Sequence, residues 1–379
     1  MPLRPHQTDA LDAMANHSKG QIIVPTGGGK TMCMIEDAKR SGGTIIVVAP
    51  RILLAEQLSS EFLEQIDNVS VMHVHSGETP HYSSTKIENI YFWHKHTRGN
   101  KIIFTTYHSL HRIKQSYAHI DTIYFDEAHN SVQRNFYPAT EHFATRDNSR
   151  CFFFTATPKH SITVEKPGMN NEKVYGKVII NVPAPKLVKE GHILPPKVII
   201  KKIDVPDDSR FQWERDCDHL LSTIDDTDVD KILVCVRKTK QIVDLVAQTD
   251  FVNELVLRGY SLLYITSKQG AFVDGEKVNR EKFFNTLNEW GRDKDKRFIV
   301  MHHSILSEGV NVAGLEAALL LRNMDFITIS QTIGRVIRKG GENKQFGIVC
   351  VPVYDKVGIS TSKSVNAVVD TIFNRGECK

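Results

Sequence analysis

The amino-terminal half of the chain alternates continuous apolar runs with segments of helical periodicity. The runs are QIIV (21–24), TIIVVAP (44–50), KIIFTTY (101–107), TIYFDEAH (122–129) and RCFFFTATP (150–158). Apolar residues in unbroken runs, rather than in alternation, are typical of parallel strands that helices cover on both faces. Polar residues stand at the carboxyl end of several runs, where parallel sheets collect ligands. The pattern therefore predicts an α/β domain with a parallel sheet.

The carboxyl-terminal half repeats this organisation. Its runs are KILVCV (231–236), SLLYIT (261–266), RFIVMHH (297–303), AALLLRN (317–323) and FGIVCVPV (346–353). Between the two halves, residues 183–197 hold four of the fourteen prolines and interrupt the periodicity, as a domain connection does. We predict a domain at 1–185, a linker at 186–197 and a second domain at 198–379, with a cleft between the domains.

Composition narrows the class of protein only slightly. With 379 residues, 41% hydrophobic and 24% charged, each domain has enough apolar surface for its own core. The formal charge of +4 is compatible with a polyanionic partner but does not demand one. The sequence shows neither a long uncharged apolar stretch nor a secretory signal, so we expect a cytoplasmic protein that does not enter a membrane.

The cysteines and histidines do not form a familiar metal-binding pattern. The six cysteines are far apart without a C-x-x-C pair, which favours reduced thiols over a zinc ribbon or a disulfide framework. The pairs His73/His75, His94/His96 and His302/His303 lie outside an H-E-x-x-H motif. The sequence therefore predicts no metal site at these pairs.

A glycine-rich turn, GQIIVPTGGGKTM at 20–32, joins the first apolar run to a helical segment at 32–39. Glycines at such a turn let backbone N–H groups converge on an anion, and the helix that follows adds its positive end. Lys30 can neutralise phosphate charge, and the hydroxyl of Thr31 can ligate Mg²⁺. Val24 stands where the generic phosphate-loop pattern has glycine, so this stretch alone leaves a plain structural turn as an alternative.

Asp126 and Glu127 lie side by side where an apolar run ends. In phosphoryl transfer, one such carboxylate holds the metal ion and the other orients and deprotonates the attacking water. Taken alone, the pair could equally cap a helix or lie in solvent.

The segment QTIGRVIRKG at 331–340 places Gln331, Arg335 and Arg338 at i, i+4 and i+7 of a predicted helix. Arginines supplied to a nucleotide can stabilise the charge that develops in phosphoryl transfer. An arginine pair on a helix is also common on a solvated face, so this segment by itself leaves both interpretations open.

The order of the motifs resembles that of superfamily 2 helicases, in the DEAH-type branch that includes restriction-enzyme motor subunits and XPB-like repair helicases. The resemblance extends through essentially the whole chain. It rests on LRPHQ (3–7), PTGGGKT (25–31), VVAPRILLAEQ (47–57), TTYHSL (105–110), DEAH (126–129), TATP (155–158), VKEGHILPP (188–196), LSEGVNVAG (306–314) and QTIGRVIR (331–338). It implies two tandem RecA-like P-loop domains with an ATP cleft between them.

The resemblance also assigns roles at the ATP site. The adenine would be read by Arg4 and Gln7, and Asp126 would hold Mg²⁺ with Thr31, largely through water, while Glu127 activates the attacking water. The phosphates would be held by Thr26, Gly27, Gly28, Gly29, Lys30 and Thr31. The second domain would complete the site with Gln331, Arg335 and Arg338.

Further residues are carried over by resemblance to nucleic-acid contact and coupling. The nucleic-acid contacts would be Arg51, Thr105, Thr106, Arg237 and Lys238. Coupling between nucleotide state and strand binding would involve His129, Thr155, Thr157, Glu308 and Gly309, with His129 touching the second domain. Contacts of this kind grip the phosphate backbone and carry no sequence information.

We therefore expect an ATP-dependent DNA helicase that uses ATP and Mg²⁺. Three alternatives stay open: a duplex-DNA translocase that serves a partner nuclease, an RNA helicase, and a nucleic-acid clamp without turnover. We expect DNA rather than RNA as the partner, a monomer, and a replication, recombination or repair protein as a further partner. A viral or phage origin is compatible with this interpretation.

Overall fold

The computed structural model describes residues 2–146, 148–163, 165–203, 210–266, 268–303, 312, 314–339, 344–353 and 358–377. These residues form two compact units, Met1–Ala184 and Pro185–Gly376. Residues 186–197, predicted as a linker, lie in the second unit and contain most of a short helix and the start of a strand.

The first unit is built on a seven-stranded sheet. Its strands are β1 (Lys19–Ile23), β2 (Thr44–Ala49), β3 (Ser70–Val74), β4 (Lys101–Thr106), β5 (Thr122–Phe125), β6 (Arg150–Thr155) and β7 (Val178–Asn181). The strand order is β3-β4-β2-β5-β6-β1-β7, and all pairs are parallel. Every residue of β2 is buried, which explains its unbroken run of apolar side chains.

Helices flank this sheet. They are α1 (Pro5–Ala15), α2 (Lys30–Ser41), α3 (Ile52–Leu63), α4 (Ile87–His96), α5 (Leu110–Gln115), α6 (Tyr137–Ala144) and α7 (Glu172–Tyr175), with a 3₁₀ turn at Ala128–Asn130. One core cluster packs Phe125 against Phe153 with ring centroids 4.7 Å apart, and Phe153 against Tyr175 at 4.8 Å. This aromatic packing involves Phe125, the last residue of β5, and so lies next to the sheet edge where polar residues follow the strands.

The second unit has an eight-stranded sheet in the order β12-β11-β10-β13-β9-β14-β15-β8. Its strands are β8 (Pro196–Lys202), β9 (Lys231–Cys235), β10 (Ser261–Thr266), β11 (Gly270–Val273), β12 (Glu276–Val278), β13 (Phe298–His302), β14 (Ala317–Leu320) and β15 (Gly347–Val353). The pairs are parallel except where β11 and β12 add an antiparallel hairpin to β10. The α/β prediction is confirmed, and this hairpin is an addition that the apolar runs did not indicate.

Helices again cover the sheet of the second unit. The described ones are α8 (Ala184–Lys189), α9 (Gln212–Thr227), α10 (Thr239–Gln248), α11 (Phe251–Leu257), α12 (Arg280–Arg292), α13 (Phe326–Val336) and α14 (Ile359–Val368), with a π-helical turn at Val369–Asn374. Within the described residues, no helix combines the length and the apolar character needed to cross a bilayer. The five described cysteines are buried and free.

The predicted helical spacing of Arg338 is wrong, because α13 ends at Val336. The carbonyl of Ile337 accepts a hydrogen bond from the Leu194 N–H at 2.7 Å, and the Lys344 ammonium donates to the carbonyl of Arg338 at 2.9 Å. These tertiary partners satisfy the last carbonyls in place of a further helical turn. Gln331 and Arg335 therefore share the helix, whereas Arg338 follows it.

Candidate nucleotide-binding site

The glycine turn after β1 has the backbone conformation of an anion cradle. Gly27 and Gly29 have φ of 85° and 86°, in the left-handed region that favours glycine. A Cβ atom added to Gly29 would lie 2.4 Å from the Gln7 Nε2 atom, so a side chain there would displace Gln7 and also strain the backbone. The helix α2 begins at Lys30 with Gly29 as its N-cap. The sequence thus ends a parallel strand in a turn that opens directly onto a helix N-terminus.

The amino-terminal end of α1 holds the carbonyl side of this turn. The Arg4 guanidinium donates to the Gly27 carbonyl at 3.3 Å, and the Gln7 amide donates to the Gly29 carbonyl at 3.2 Å. The Gln7 Oε1 atom accepts from the Arg4 backbone N–H at 2.8 Å, which fixes the side chain. Reading of adenine by Arg4 and Gln7 stays a prediction, since here both side chains contact the loop.

His6 completes the contact between α1 and the turn, and sequence reasoning missed it. Its Nε2 atom lies 2.7 Å from the Gly28 carbonyl oxygen, and its ring is buried. In a trans peptide the N–H points opposite to the C=O. The N–H groups of Gly29 and Lys30 are therefore directed away from α1. His6 lies within LRPHQ and next to Gln7, which was predicted as a site residue, and this position could have indicated its role.

The acidic pair lies at the end of β5, separated from β1 by a single strand. The Asp126 N–H donates to the Val48 carbonyl at 2.9 Å, and the Tyr107 hydroxyl donates to the Asp126 carbonyl at 2.8 Å. Glu127 has φ of 44°, a left-handed conformation rare in residues with a side chain. Strained backbone of this kind persists where the surroundings fix it, and it concentrates at functional sites.

Lysine and acid meet in this site. The Lys30 Nζ atom lies 3.7 Å from the Glu127 Oε1 atom, and both side chains are about nine-tenths buried. Burial, and then the charge of Glu127, raise the pKa of Asp126 to about 7, although Lys30 acts in the opposite direction. Two buried carboxylates side by side with one lysine are a donor set that a further positive charge would stabilise.

The strand β6, which lies between β5 and β1, links the two parts of the site. The Thr155 carbonyl accepts from the Val24 N–H at 3.0 Å, and the Thr155 hydroxyl lies 3.0 Å from His129 Nδ1. The same hydroxyl accepts from the Thr157 N–H at 3.1 Å. Three of the predicted coupling residues thus form one hydrogen-bonded chain behind the acidic pair. Glu308 and Gly309 lie outside the described residues.

The observed groups fit a magnesium nucleotide. The backbone of the cradle disfavours a side chain at Gly29, and the buried Thr26 hydroxyl has no hydrogen-bond partner among the described residues. Thr31 lies in the first turn of α2, and Asp126 offers a carboxylate, the kind of ligand that Mg²⁺ prefers. The residue types, the helix N-terminus and the raised pKa of Asp126 are all consistent with a polyphosphate and a divalent cation.

The predicted nucleic-acid contacts of the first unit have different environments. Arg51 is exposed and forms the N-cap of α3. Thr105 and Thr106 are buried, and the Thr105 hydroxyl donates to the Val74 carbonyl at 2.8 Å. Within this unit, Arg51 is therefore the predicted contact that is available at the surface.

In the second unit, Arg237 forms an ion pair with a carboxylate of the same unit. Its guanidinium donates to both carboxylate oxygens of Asp216, at 2.6 and 2.5 Å, and Asp216 also accepts from the Gln241 amide at 2.7 Å. Lys238 is exposed and forms the N-cap of α10. Contact of either residue with nucleic acid stays a prediction.

Gln331 and Arg335 are buried on α13, and Arg338 is partly exposed. Burial, and then the charges of Arg335 and Arg322, hold the pKa of His302 well below its usual value. The His302 Nε2 atom lies 3.3 Å from the Cys235 sulfur. Arg335 thus lies close to the strand ends of its own sheet.

Among the comparisons with known proteins, the match to a sequence family lies within the first unit. Residues 1–160 match the family described as Type III restriction enzyme, res subunit. The predicted resemblance to restriction-enzyme motors of superfamily 2 is confirmed. No curated protein sequence is similar enough to match. Residues 1–160 are thus related to the res subunits of Type III restriction enzymes.

Solved structures of restriction enzymes share the fold across the chain. The ATP-dependent Type ISP restriction-modification enzyme LlaBIII, bound to DNA, aligns with 99% of this chain at a TM-score of 0.77 and 17% identity. A nuclease-deletion mutant of the Type ISP enzyme LlaGI, in complex with a DNA substrate mimic, aligns with 98% at 0.68 and 19%. A fragment of a putative HsdR subunit of a type I restriction enzyme from Vibrio vulnificus YJ016 aligns with 95% at 0.61 and 15%.

These structures bear out the predicted fold class. The present chain spans 30% of the LlaBIII chain, 29% of the LlaGI chain and 65% of the HsdR fragment. At such identities the likeness concerns the fold, two α/β units of the RecA-like kind.

Proposed function

We propose that this protein is an ATP-dependent DNA translocase of the helicase type, which couples ATP hydrolysis to movement along DNA or to its unwinding. The observation that carries the proposal is the meeting of Lys30 and Glu127, 3.7 Å apart, beside a glycine cradle at the carboxyl edge of a parallel sheet. A buried lysine and two adjacent carboxylates are costly to desolvate, which favours a functional role for them over a purely structural one.

The chemistry assigned to each residue follows from its position. The N–H groups of Gly29 and Lys30 and the Lys30 ammonium bind and orient the phosphates at the start of α2. Glu127 accepts the proton of the attacking water, and Asp126 with Thr31 would hold Mg²⁺. The cation would supply charge neutralisation on the phosphate oxygens. The chain from Thr155 to His129 keeps the acidic pair in place and provides a connection to β6.

The first test is hydrolysis of ATP with and without DNA. We expect DNA to stimulate the wild-type ATPase, and we expect Lys30→Ala to abolish turnover. Lys39→Ala is the matched control, because Lys39 lies on the same helix but pairs with Glu36 at the surface. Normal turnover by Lys30→Ala would show that the glycine turn and Lys30 are not part of the ATPase site. Loss of turnover in both variants would instead mean that the substitutions disturb the folding of α2.

The second test concerns the grip on DNA. Contacts to phosphates release counterions, so stimulation of the ATPase should weaken as salt concentration rises. Arg51→Ala should lower the apparent DNA affinity with little dependence on base sequence. Stimulation that is indifferent to salt would contradict a motor that grips the backbone, and stronger stimulation by RNA would favour the RNA-helicase alternative.

A duplex-DNA translocase that serves a partner nuclease is the second candidate. The match of residues 1–160 to a restriction-enzyme subunit favours it. Displacement of a third strand from a DNA triplex, without separation of a forked duplex, would support this candidate over strand unwinding. ATP binding without DNA-stimulated hydrolysis would instead favour a clamp.

A further inference from the structure

Glu56, His73 and His75 converge in the first unit, away from the nucleotide site. Glu56 projects from α3, His73 belongs to β3, and His75 follows that strand. The Glu56 Oε1 atom lies 2.9 Å from His73 Nδ1 and 2.9 Å from His75 Nε2, and these two nitrogens are 3.0 Å apart. The three atoms thus form a nearly equilateral triangle.

The triangle has the dimensions of one face of an octahedral coordination sphere. Ligands at about 2.1 Å from a transition metal, at right angles to one another, are separated by about 3.0 Å. Two imidazoles and one carboxylate on such a face leave the remaining positions to water. This donor set suits first-row divalent cations such as Zn²⁺, Co²⁺, Ni²⁺ or Fe²⁺ better than Mg²⁺ or Ca²⁺, which prefer oxygen ligands.

The three groups are also buried together. The Glu56 Oε1 atom is inaccessible to solvent, and both imidazoles are buried. The His73 Nδ1 and His75 Nε2 atoms are in hydrogen-bond contact with each other. A divalent cation at the centre of the triangle would replace this contact and balance the charge of the carboxylate.

The surroundings supply support for two of the three ligands. The His73 Nε2 atom lies 3.0 Å from the Ser59 hydroxyl, which can accept its proton and so leaves Nδ1 available. The second Glu56 oxygen accepts from the Thr79 hydroxyl at 3.0 Å.

Two contacts oppose a bound cation and have to change, the hydrogen bond between the two rings and the one from Gly77 to His75. The Gly77 N–H donates to His75 Nδ1 at 3.2 Å, which places the proton of that ring on Nε2. Coordination through Nε2 would move this proton to Nδ1 and displace the Gly77 N–H. The bond is long and lies in the turn after β3, so a local adjustment of that turn suffices.

We propose that Glu56, His73 and His75 form a binding site for a divalent transition-metal ion that ties α3 to β3. An open pocket of about 350 Å³, lined by Glu56, Glu64, His81 and others, adjoins the carboxylate side of the triangle. Because α3 begins directly after Arg51, the ion would stiffen the helix whose start presents that arginine. The proposal does not depend on ATP hydrolysis.

The test is metal binding by the full chain without an affinity tag. Protein stripped with a chelator is titrated with Co²⁺ and, separately, Zn²⁺, and the metal content and the thermal midpoint are measured. We expect one tightly bound ion per chain, a higher midpoint, and an X-ray absorption spectrum that shows two imidazole ligands. Absence of binding at about 1 mM Zn²⁺ would show that the triangle is a hydrogen-bonded cluster only.

Two variants separate this site from other histidines. Glu56→Gln keeps the shape but removes the charge, and we expect at least about tenfold weaker binding. Glu64→Gln is the matched control, since it removes an acid from the same pocket that is not in the triangle. Equal affinity of Glu56→Gln and wild type would overturn the proposal. If Glu56→Gln does not fold, His75→Asn takes its place with the same expectation.

Discussion

The two units share an architecture but treat the ends of their strands differently. In the first unit, β1 ends in a glycine turn with two left-handed residues, and the end of β5 carries adjacent carboxylates near Lys30. In the second unit, β9 is followed by Arg237, which is engaged with Asp216, and β13 ends in His302 beside Cys235. The first edge collects charged side chains beside a glycine turn, whereas the second edge pairs Arg237 with a buried carboxylate.

This difference teaches that the fold alone does not determine the chemistry of the sheet edge. Both units place polar residues where ligands bind in α/β proteins. In the first unit, a turn with two left-handed glycines leads from β1 directly into α2, and Lys30 is the first residue of that helix. Function must therefore be argued from the residues at the strand ends rather than from the architecture.

The largest effect is expected at the acidic pair. Glu127→Gln should preserve ATP binding and lower turnover by about 10² to 10⁴, because it removes the base that accepts the proton of the attacking water. Nucleotide binding and single-turnover hydrolysis measure the two quantities separately. Glu141→Gln, a surface change in the same unit, should leave both unaltered. Substantial turnover by Glu127→Gln would withdraw the catalytic role from this residue.

The next effect tests whether the second unit contributes to hydrolysis, as the resemblance implies. Arg338→Ala should leave ATP binding nearly unchanged and reduce the DNA-stimulated turnover by at least about 10², because an arginine stabilises developing phosphate charge. Lys339→Ala is the matched control, since it removes the neighbouring exposed cation. Equal turnover in the two variants would confine the catalytic groups to the first unit.

A smaller effect is expected at Arg237. Because its guanidinium neutralises the buried Asp216, Arg237→Gln should lower the free energy of unfolding by about 1–3 kcal/mol. Lys238→Gln, which alters the adjacent exposed cation, should leave stability unchanged. Denaturant unfolding and DNA titration of both variants would show the separation. A loss of DNA affinity without loss of stability in Arg237→Gln would mean that this arginine serves the ligand after all.

The smallest effect concerns the pH dependence of the second unit. The folded chain holds the pKa of His302 well below its ordinary value, whereas the unfolded chain takes up a proton on this residue below about pH 6.5. Stability should therefore fall as pH decreases below about 6.5, by at most about 1.4 kcal/mol per pH unit from this group. Amide hydrogen exchange of β9 and β13, followed as a function of pH, measures this change in stability.

His302→Gln should reduce this slope, while His17→Gln, at an exposed position, should keep it. If the slope is the same in the His302 variant and in wild type, the buried imidazole is not its source. The first unit offers a reference, because its amide exchange should not respond to the His302 substitution.

Much of the fold could be predicted because the residue types within a buried strand indicate that it is buried. Runs such as TIIVVAP and SLLYIT are apolar at nearly every position, and both form strands in the interior of their sheets. The glycine turn was equally readable, since left-handed backbone restricts the residue type. Short or mixed strands such as β7 and β12 escaped prediction because their side chains are only partly buried.

The sequence by itself determined which segments form buried strands, where the glycine turn lies and where the two adjacent carboxylates stand. Each of these features depends on residues within a few positions of one another. Only the tertiary structure decided which distant groups meet. It brings His6 to the Gly28 carbonyl, buries the Thr105 hydroxyl against Val74, and places Glu56 beside the imidazoles of His73 and His75. Such contacts depend on how strands and helices pack side by side, and the local periodicity of a sequence carries no record of that arrangement.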